Sequence, residues 1–169
     1  MGQARFRMRN GLAGLILAGG LAGCGFTPLY ATNGVTPGLS AIEVNVPHGR
    51  TAFLLSQDLE DSLARDRATP ALYRLDVTLD ERNYPRGLTI NEVATHNETH
   101  VAVNYRLVEL ATGKVLKSGV ERVEVTFAVA DQPYAGVSAE QDAQERAAST
   151  AADRIRLDLA VYFARHSAG

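Results

Sequence analysis

From residue 41 onward the apolar positions recur with two different periods, and the period switches along the chain. Ile42, Val44 and Val46 alternate with Glu43 and Asn45, the spacing of a strand buried on one face. Pro47 and Gly49 stop it. Over 50–66 the spacing lengthens. Ala52, Leu55, Leu59 and Leu63 return every three or four positions, with Gln57, Asp58, Glu60, Asp61 and Arg65 elsewhere. That predicts an amphipathic helix of about four turns. Residues 72–84 alternate again: Tyr73, Leu75, Val77 and Leu79 share one side, and Arg74, Asp76, Thr78 and Asp80 the other. Pro85-Arg86-Gly87 is read as the break.

A further extended stretch is expected from about Leu88 to Leu110, with Val101, Val103, Tyr105 and Leu107 in alternation. Ala111-Thr112-Gly113-Lys114 reads as a hairpin turn. The next strand runs from Val115 to about Ala128, with Val123, Val125 and Phe127 on one face. Asp131-Gln132-Pro133-Tyr134 ends the strands. From about Ser138, Ala139, Ala143, Ala147, Ala151, Ile155 and Leu159 recur at four-residue spacing, and Tyr162 and Phe163 finish the run. Ser138 with Gln141 fits a capping box. The alanine stripe gives this helix a narrow face and so a close approach to its neighbour.

The predicted order is β-α-β-β-β-α. Each strand has one apolar and one polar face, which predicts an α+β two-layer sandwich: a four-stranded, mostly antiparallel sheet with two helices on one face. A helix joins the first two strands, which allows those two to lie parallel.

The N-terminal 40 residues follow neither period. Arg5, Arg7 and Arg9 precede the apolar run Gly11–Leu21, a positive segment followed by an apolar one of secretory type. The run is too short for a transmembrane helix, which needs about 20 apolar residues. It ends in Leu21-Ala22-Gly23-Cys24, which contains the chain's one cysteine. This has the form of a bacterial lipobox. The expected organisation is a cleaved lipoprotein signal peptide over 1–23, an acylated tether over 24–40 and a single α+β domain over 41–169. Cys24 would carry diacylglycerol and an N-acyl chain, and no other cofactor is expected. Two or three acyl chains anchor stably where one anchors marginally. Gly25 stands where an aspartate would signal inner-membrane retention, so outer-membrane delivery is expected. The tether, with Pro28, Gly34, Pro37 and Gly38, reaches at most about 55 Å.

Loss of the leader leaves 14 basic against 19 acidic residues, a net charge of −5. That balance disfavours a general nucleic-acid binder, which should be basic. His96-Asn97-Glu98-Thr99-His100 has two histidines four apart, as in a zinc-protease helix, but the glutamate adjoins neither histidine and the surroundings read as strand or loop. No third ligand is evident, so solvent-facing histidines and no metal site are expected. There is no phosphate loop, nucleophile elbow or thiol pair, and no set of residues takes nucleophile, base and oxyanion roles. No enzymatic activity and no catalytic residue are expected.

The strand region holds Arg74, Arg82, Arg86, Arg106, Lys114, Lys117 and Arg122. These groups could pair with phosphate or carboxylate on an amphiphile. They could equally pair with Asp76, Asp80, Glu81, Glu109, Glu121 and Glu124 across strands, which is the default for surface charges.

Directly after the lipobox comes Gly25-Phe26-Thr27-Pro28-Leu29-Tyr30. A lipobox followed by Gly-Phe-x-Pro-Leu-Tyr resembles the LPS-assembly lipoprotein (LptE) family of alphaproteobacterial type. The element order, the hairpin at Gly113, Tyr134-Ala135 and the alanine-rich last helix are similar as well. Enterobacterial members typically carry Trp after the Gly and lack the Pro-Leu-Tyr continuation. The resemblance implies an outer-membrane lipoprotein facing the periplasm. It would complex with the β-barrel protein LptD, assist its assembly and help deliver lipopolysaccharide to the outer leaflet. Outer-membrane lipid, through the anchor, and lipopolysaccharide are the further partners implied. Loops near Arg82, Arg86 and Lys114 are the candidate contacts to lipopolysaccharide phosphates or to the barrel wall. The alternatives are another periplasmic lipoprotein serving as scaffold or transport auxiliary, and an envelope-polymer hydrolase.

Overall fold

The computed structural model describes residues 35–88, 94–128 and 133–166. The leader, Cys24 and the tether up to residue 34 lie outside them. The elements are α1 (Val35–Ser40), β1 (Ile42–Asn45), α2 (Arg50–Ser62), β2 (Tyr73–Leu88), β3 (Ala94–Glu109), β4 (Val115–Ala128) and α3 (Pro133–His166). The sheet order is β1-β2-β3-β4. β1 lies parallel to β2, and the other two pairings are antiparallel. The α+β sandwich is therefore built on a mixed sheet, with the one parallel pair where a helix makes the connection.

The inward phase of the strands matches the apolar phase of the sequence. Leu75, Val77, Val101, Val103, Tyr105, Leu107 and Val123 form one cluster with Ile42, with Leu55, Leu59 and Leu63 of the α2 region, and with Ala147, Ala151, Ile155 and Leu159 of α3. Gly113 makes the β3–β4 turn at φ 70°, a left-handed conformation that costs glycine little.

Five boundaries differ from expectation, the first being that Leu88, expected to open the third strand, ends β2 and pairs with Ala94 at the start of β3. The tether's last six residues form α1, with Val35 and Leu39 buried one turn apart. Pro37 falls in the first turn, where a missing N–H is tolerated. Gly38 leaves room for the Phe163 ring, because a Cβ there would stand 2.7 Å from Phe163 Cδ1. α2 ends at Ser62, short of residue 66; Leu63 caps it and Ala64 turns the chain at φ 51°.

β2 runs through Pro85 to Leu88 instead of breaking. β1 pairs with β2 only over Tyr73–Asp76, so among the described residues Pro85 stands where one edge of β2 has no neighbouring strand. An edge strand tolerates a residue without an N–H. Finally, α3 starts at Pro133, five residues before Ser138. Proline is favoured in a first helical turn, and here it opens a helix of 34 residues.

Candidate functional site

The long strands carry the chemistry on the outer face of the sheet. Register sets side chains from three strands in rows. Asp80, Ala102 and Arg122 form one row; Arg82, His100 and Glu124 form the next; Tyr84, Glu98 and Thr126 follow. The small Ala102 stands between long polar neighbours. The result is a depression of about 220 Å³ lined by Asp80, Arg82, Tyr84, His100, Arg122 and Glu124.

Ion pairs tie the rim together. Arg82 Nε donates to Asp80 Oδ2 at 3.0 Å, and Arg86 Nε to Glu98 Oε2 at 2.7 Å across strands. The Arg86 contact, and after it His100, holds the Glu98 carboxyl below its ordinary value. Tyr84 sets its ring against the His100 imidazole, centroids 4.8 Å apart and planes at 70°. Toward β1, Arg74 grips Asp76 with two hydrogen bonds of 2.8 and 3.1 Å, and Asn45 Nδ2 adds one of 2.9 Å. Arg74, and after it Asn45, holds the Asp76 carboxyl low. Cross-strand and same-strand pairing thus engages Arg74, Arg82 and Arg86. The side chains of Lys114 and Arg122 make no hydrogen bond or ion pair among the described residues.

The three candidate contact residues do not form one cluster. Arg82 and Arg86 share the outer face of β2, four residues apart. Lys114 follows the β3–β4 turn, level with Tyr73 at the other end of the strand, because Tyr73 pairs with Glu109 and Glu109 N donates to Lys114 O. Arg82 is nine residues further along, or about 30 Å at strand rise. Near the Lys114 end, Pro37, Gly38, Leu72, Tyr73, Leu116, Tyr162, Phe163 and His166 line a more apolar groove of about 360 Å³. The two histidines of His96–His100 both lie on β3. A strand, unlike a helix, turns Glu98 to the same face as both of them.

A second polar group, which the sequence pattern alone does not single out, lies under the sheet. Thr51 Oγ1 and Gln144 Nε2 donate to the two oxygens of Glu81, at 2.6 and 2.8 Å. Thr99 Oγ1, fully buried, donates to Asn83 Oδ1 at 2.7 Å, and Asn83 Nδ2 to Glu140 Oε1 at 2.9 Å. The available signal was phase: Glu81 and Asn83 continue the inward phase of Tyr73–Leu79 with polar side chains. These bonds fasten α2 and α3 to the sheet where the apolar core ends. Beyond them, residues 84–87 of β2 are all exposed. Phe53 near the start of α2, Tyr84, and Tyr134 and Val137 in the first turns of α3 are exposed apolar groups, Tyr134 to 90%. The same contacts between Glu81 or Asn83 and the helices place those first turns toward the Arg82–Arg86 end.

Among the described residues no helix is long and apolar enough to cross a membrane. No curated protein sequence matches the chain. A putative lipoprotein from Caulobacter crescentus has a similar structure, with a TM-score of 0.68 and 41% identity, covering 79% of this chain and 97% of that one. The rare lipoprotein B of Shewanella oneidensis shares the fold at TM-score 0.56 and 13% identity, over 71% and 93% of the two chains. A minor lipoprotein from Acinetobacter baumannii does so at 0.56 and 12%, over 71% and 90%. The family model for lipopolysaccharide assembly, LptE, matches residues 39–159. With most of the folded domain inside that match and a 41% identical structure spanning four-fifths of its length, the chain belongs to the LptE lipopolysaccharide-assembly family.

Proposed function

We propose that this chain is a non-enzymatic lipoprotein, acylated at Cys24 and held at the periplasmic side of the outer membrane. There it complexes with the β-barrel LptD, assists barrel assembly and helps deliver lipopolysaccharide. The observation that carries this reading is the family match over 39–159. The character of the surface supports it. A domain lodged in a barrel meets a polar lumen wall, and the outer sheet face offers arginine, histidine, carboxylate and hydroxyl groups. Arginine and exposed aromatics meet at one end, the residue types enriched at protein interfaces.

Crosslinked pull-down from outer membranes tests the partner. The wild-type chain is expected to capture a large β-barrel, whereas Cys24→Ser is expected to leave the membrane fraction. Capture of an inner-membrane transporter instead would move the chain to the transport-auxiliary class. Lipopolysaccharide contact is tested in two parts, because Lys114 lies far from the arginine pair. Arg82→Glu/Arg86→Glu is expected to weaken lipopolysaccharide binding about tenfold, equivalent to about 1.4 kcal/mol. Lys114→Glu is expected to weaken it by less. Unchanged affinity in both variants removes all three residues from the site.

A further inference from the structure

We propose that Glu98, His100 and Glu124 form a divalent-cation site of zinc type on the outer sheet face. The three side chains come from two strands. Glu98 and His100 are two residues apart on β3 and so share a face, and Glu124 is the direct register partner of His100 on β4. One ligand atom from each lies within 4.8 Å of the others.

The geometry at His100 is that of a ligand. Its Nε2 stands 3.4 Å from Glu98 Oε2. That nitrogen is closed off from solvent and makes no hydrogen bond. Zinc bonds of about 2.0–2.2 Å in tetrahedral arrangement set neighbouring ligand atoms about 3.3–3.5 Å apart, so the Nε2–Oε2 separation is already one edge of such a site. Glu124 Oε1 stands 3.7 Å from His100 Nδ1, on a side chain that is 61% exposed. Glu124 thus rests beside the other ring nitrogen, and the proposed site requires this exposed side chain to swing toward Nε2, within the 4.8 Å that separates the three ligand atoms. Tyr84, edge-on to the imidazole, restricts ring rotation. One imidazole and two carboxylates suit zinc among the divalent ions that accept mixed nitrogen and oxygen donors. Water fills the fourth position.

One group opposes binding. Arg86 Nε already donates to Glu98 Oε2, the oxygen an ion would use. Its side chain is 60% exposed, so displacing it forfeits a surface ion pair of small worth. Arg82 and Arg122 add positive charge nearby. The affinity expected is therefore micromolar.

Competition from Arg86 makes the test two-sided. The full-length chain in detergent is titrated with Zn²⁺ by calorimetry, and the histidine ring signals are followed by NMR. One ion per chain is expected, with the His100 ring signals shifting first. His100→Gln and the exposed Glu124→Gln should each weaken binding at least tenfold, Arg86→Gln should tighten it several-fold, and His96→Gln should leave it unchanged. Thermal melting of each variant shows that it is folded. Absence of binding at millimolar Zn²⁺ overturns the proposal. So does equal affinity in His100→Gln, loss in His96→Gln alone, or no gain in Arg86→Gln. Any of these leaves the cluster as a cross-strand charge pair without bearing on the lipopolysaccharide reading.

Discussion

Ala151→Leu is expected to lower the thermal midpoint by about 5–15 °C, the equivalent of about 1–3 kcal/mol of overpacking. Ala143, Ala147 and Ala151 are completely buried, and Ala148 and Ala152 nearly so. Through this face α3 meets both α2 and β4. Three added heavy atoms have no space there without moving a helix, and interiors at crystal-like density relax only in part. Ala135→Leu is the control. It adds the same volume to the same helix at an exposed position, and is expected to shift stability by no more than about 0.5 kcal/mol. Equal melting of Ala151→Leu and the wild type would show that the stripe is not a close-packed seam.

Gly119→Ala is expected to cost about 2–4 kcal/mol, measured by urea unfolding, although alanine suits the strand conformation. A Cβ at Gly119 would stand 2.8 Å from Tyr105 Cε1 and closer still to Cζ and the phenol oxygen. Tyr105 is almost fully buried, and its hydroxyl donates to Asp158, which also takes Lys117 Nζ at 3.0 Å. Burial, and after it the Asp158 carboxylate, drives the phenol pKa far upward, so the tyrosine stays neutral and the hydroxyl remains a donor. Moving the ring breaks this contact and leaves polar atoms unsatisfied. The cost is specific to the pair. In a Tyr105→Ala background, Gly119→Ala should add almost nothing, and additive costs would place the strain elsewhere.

Periodicity made the core legible, because burial on one face imposes the period that the apolar residues follow. It failed where tertiary context outweighed local preference. Val35 and Leu39 form a single apolar pair among breakers, and they are buried in a core cluster that includes Ile155, Leu159 and Phe163 of α3, more than a hundred residues away. Pro85 reads as a stop, and the short reach of β1 along β2 makes it harmless. The candidate site was less visible. Arg82 and Lys114 read as related loop charges until strand register placed them at opposite ends. Glu98 adjoins neither histidine in the chain, and the strand then turns it to the same face as both. Its neighbour Glu124 comes beside His100 through register, which adjacency in the chain does not reveal.

The lengths of two elements carry a consequence for depth. β2 has 16 residues and α3 has 34. At about 3.3 Å and 1.5 Å per residue, both come to about 50 Å. The lipid-facing band of an outer-membrane barrel is about 25 Å tall. In the proposed complex, a domain standing with its strands along the barrel axis is about twice the height of that band. About half its length must therefore project beyond the bilayer core, so its Arg82–Arg86 end and its Lys114 end sit at different depths and meet different chemistry.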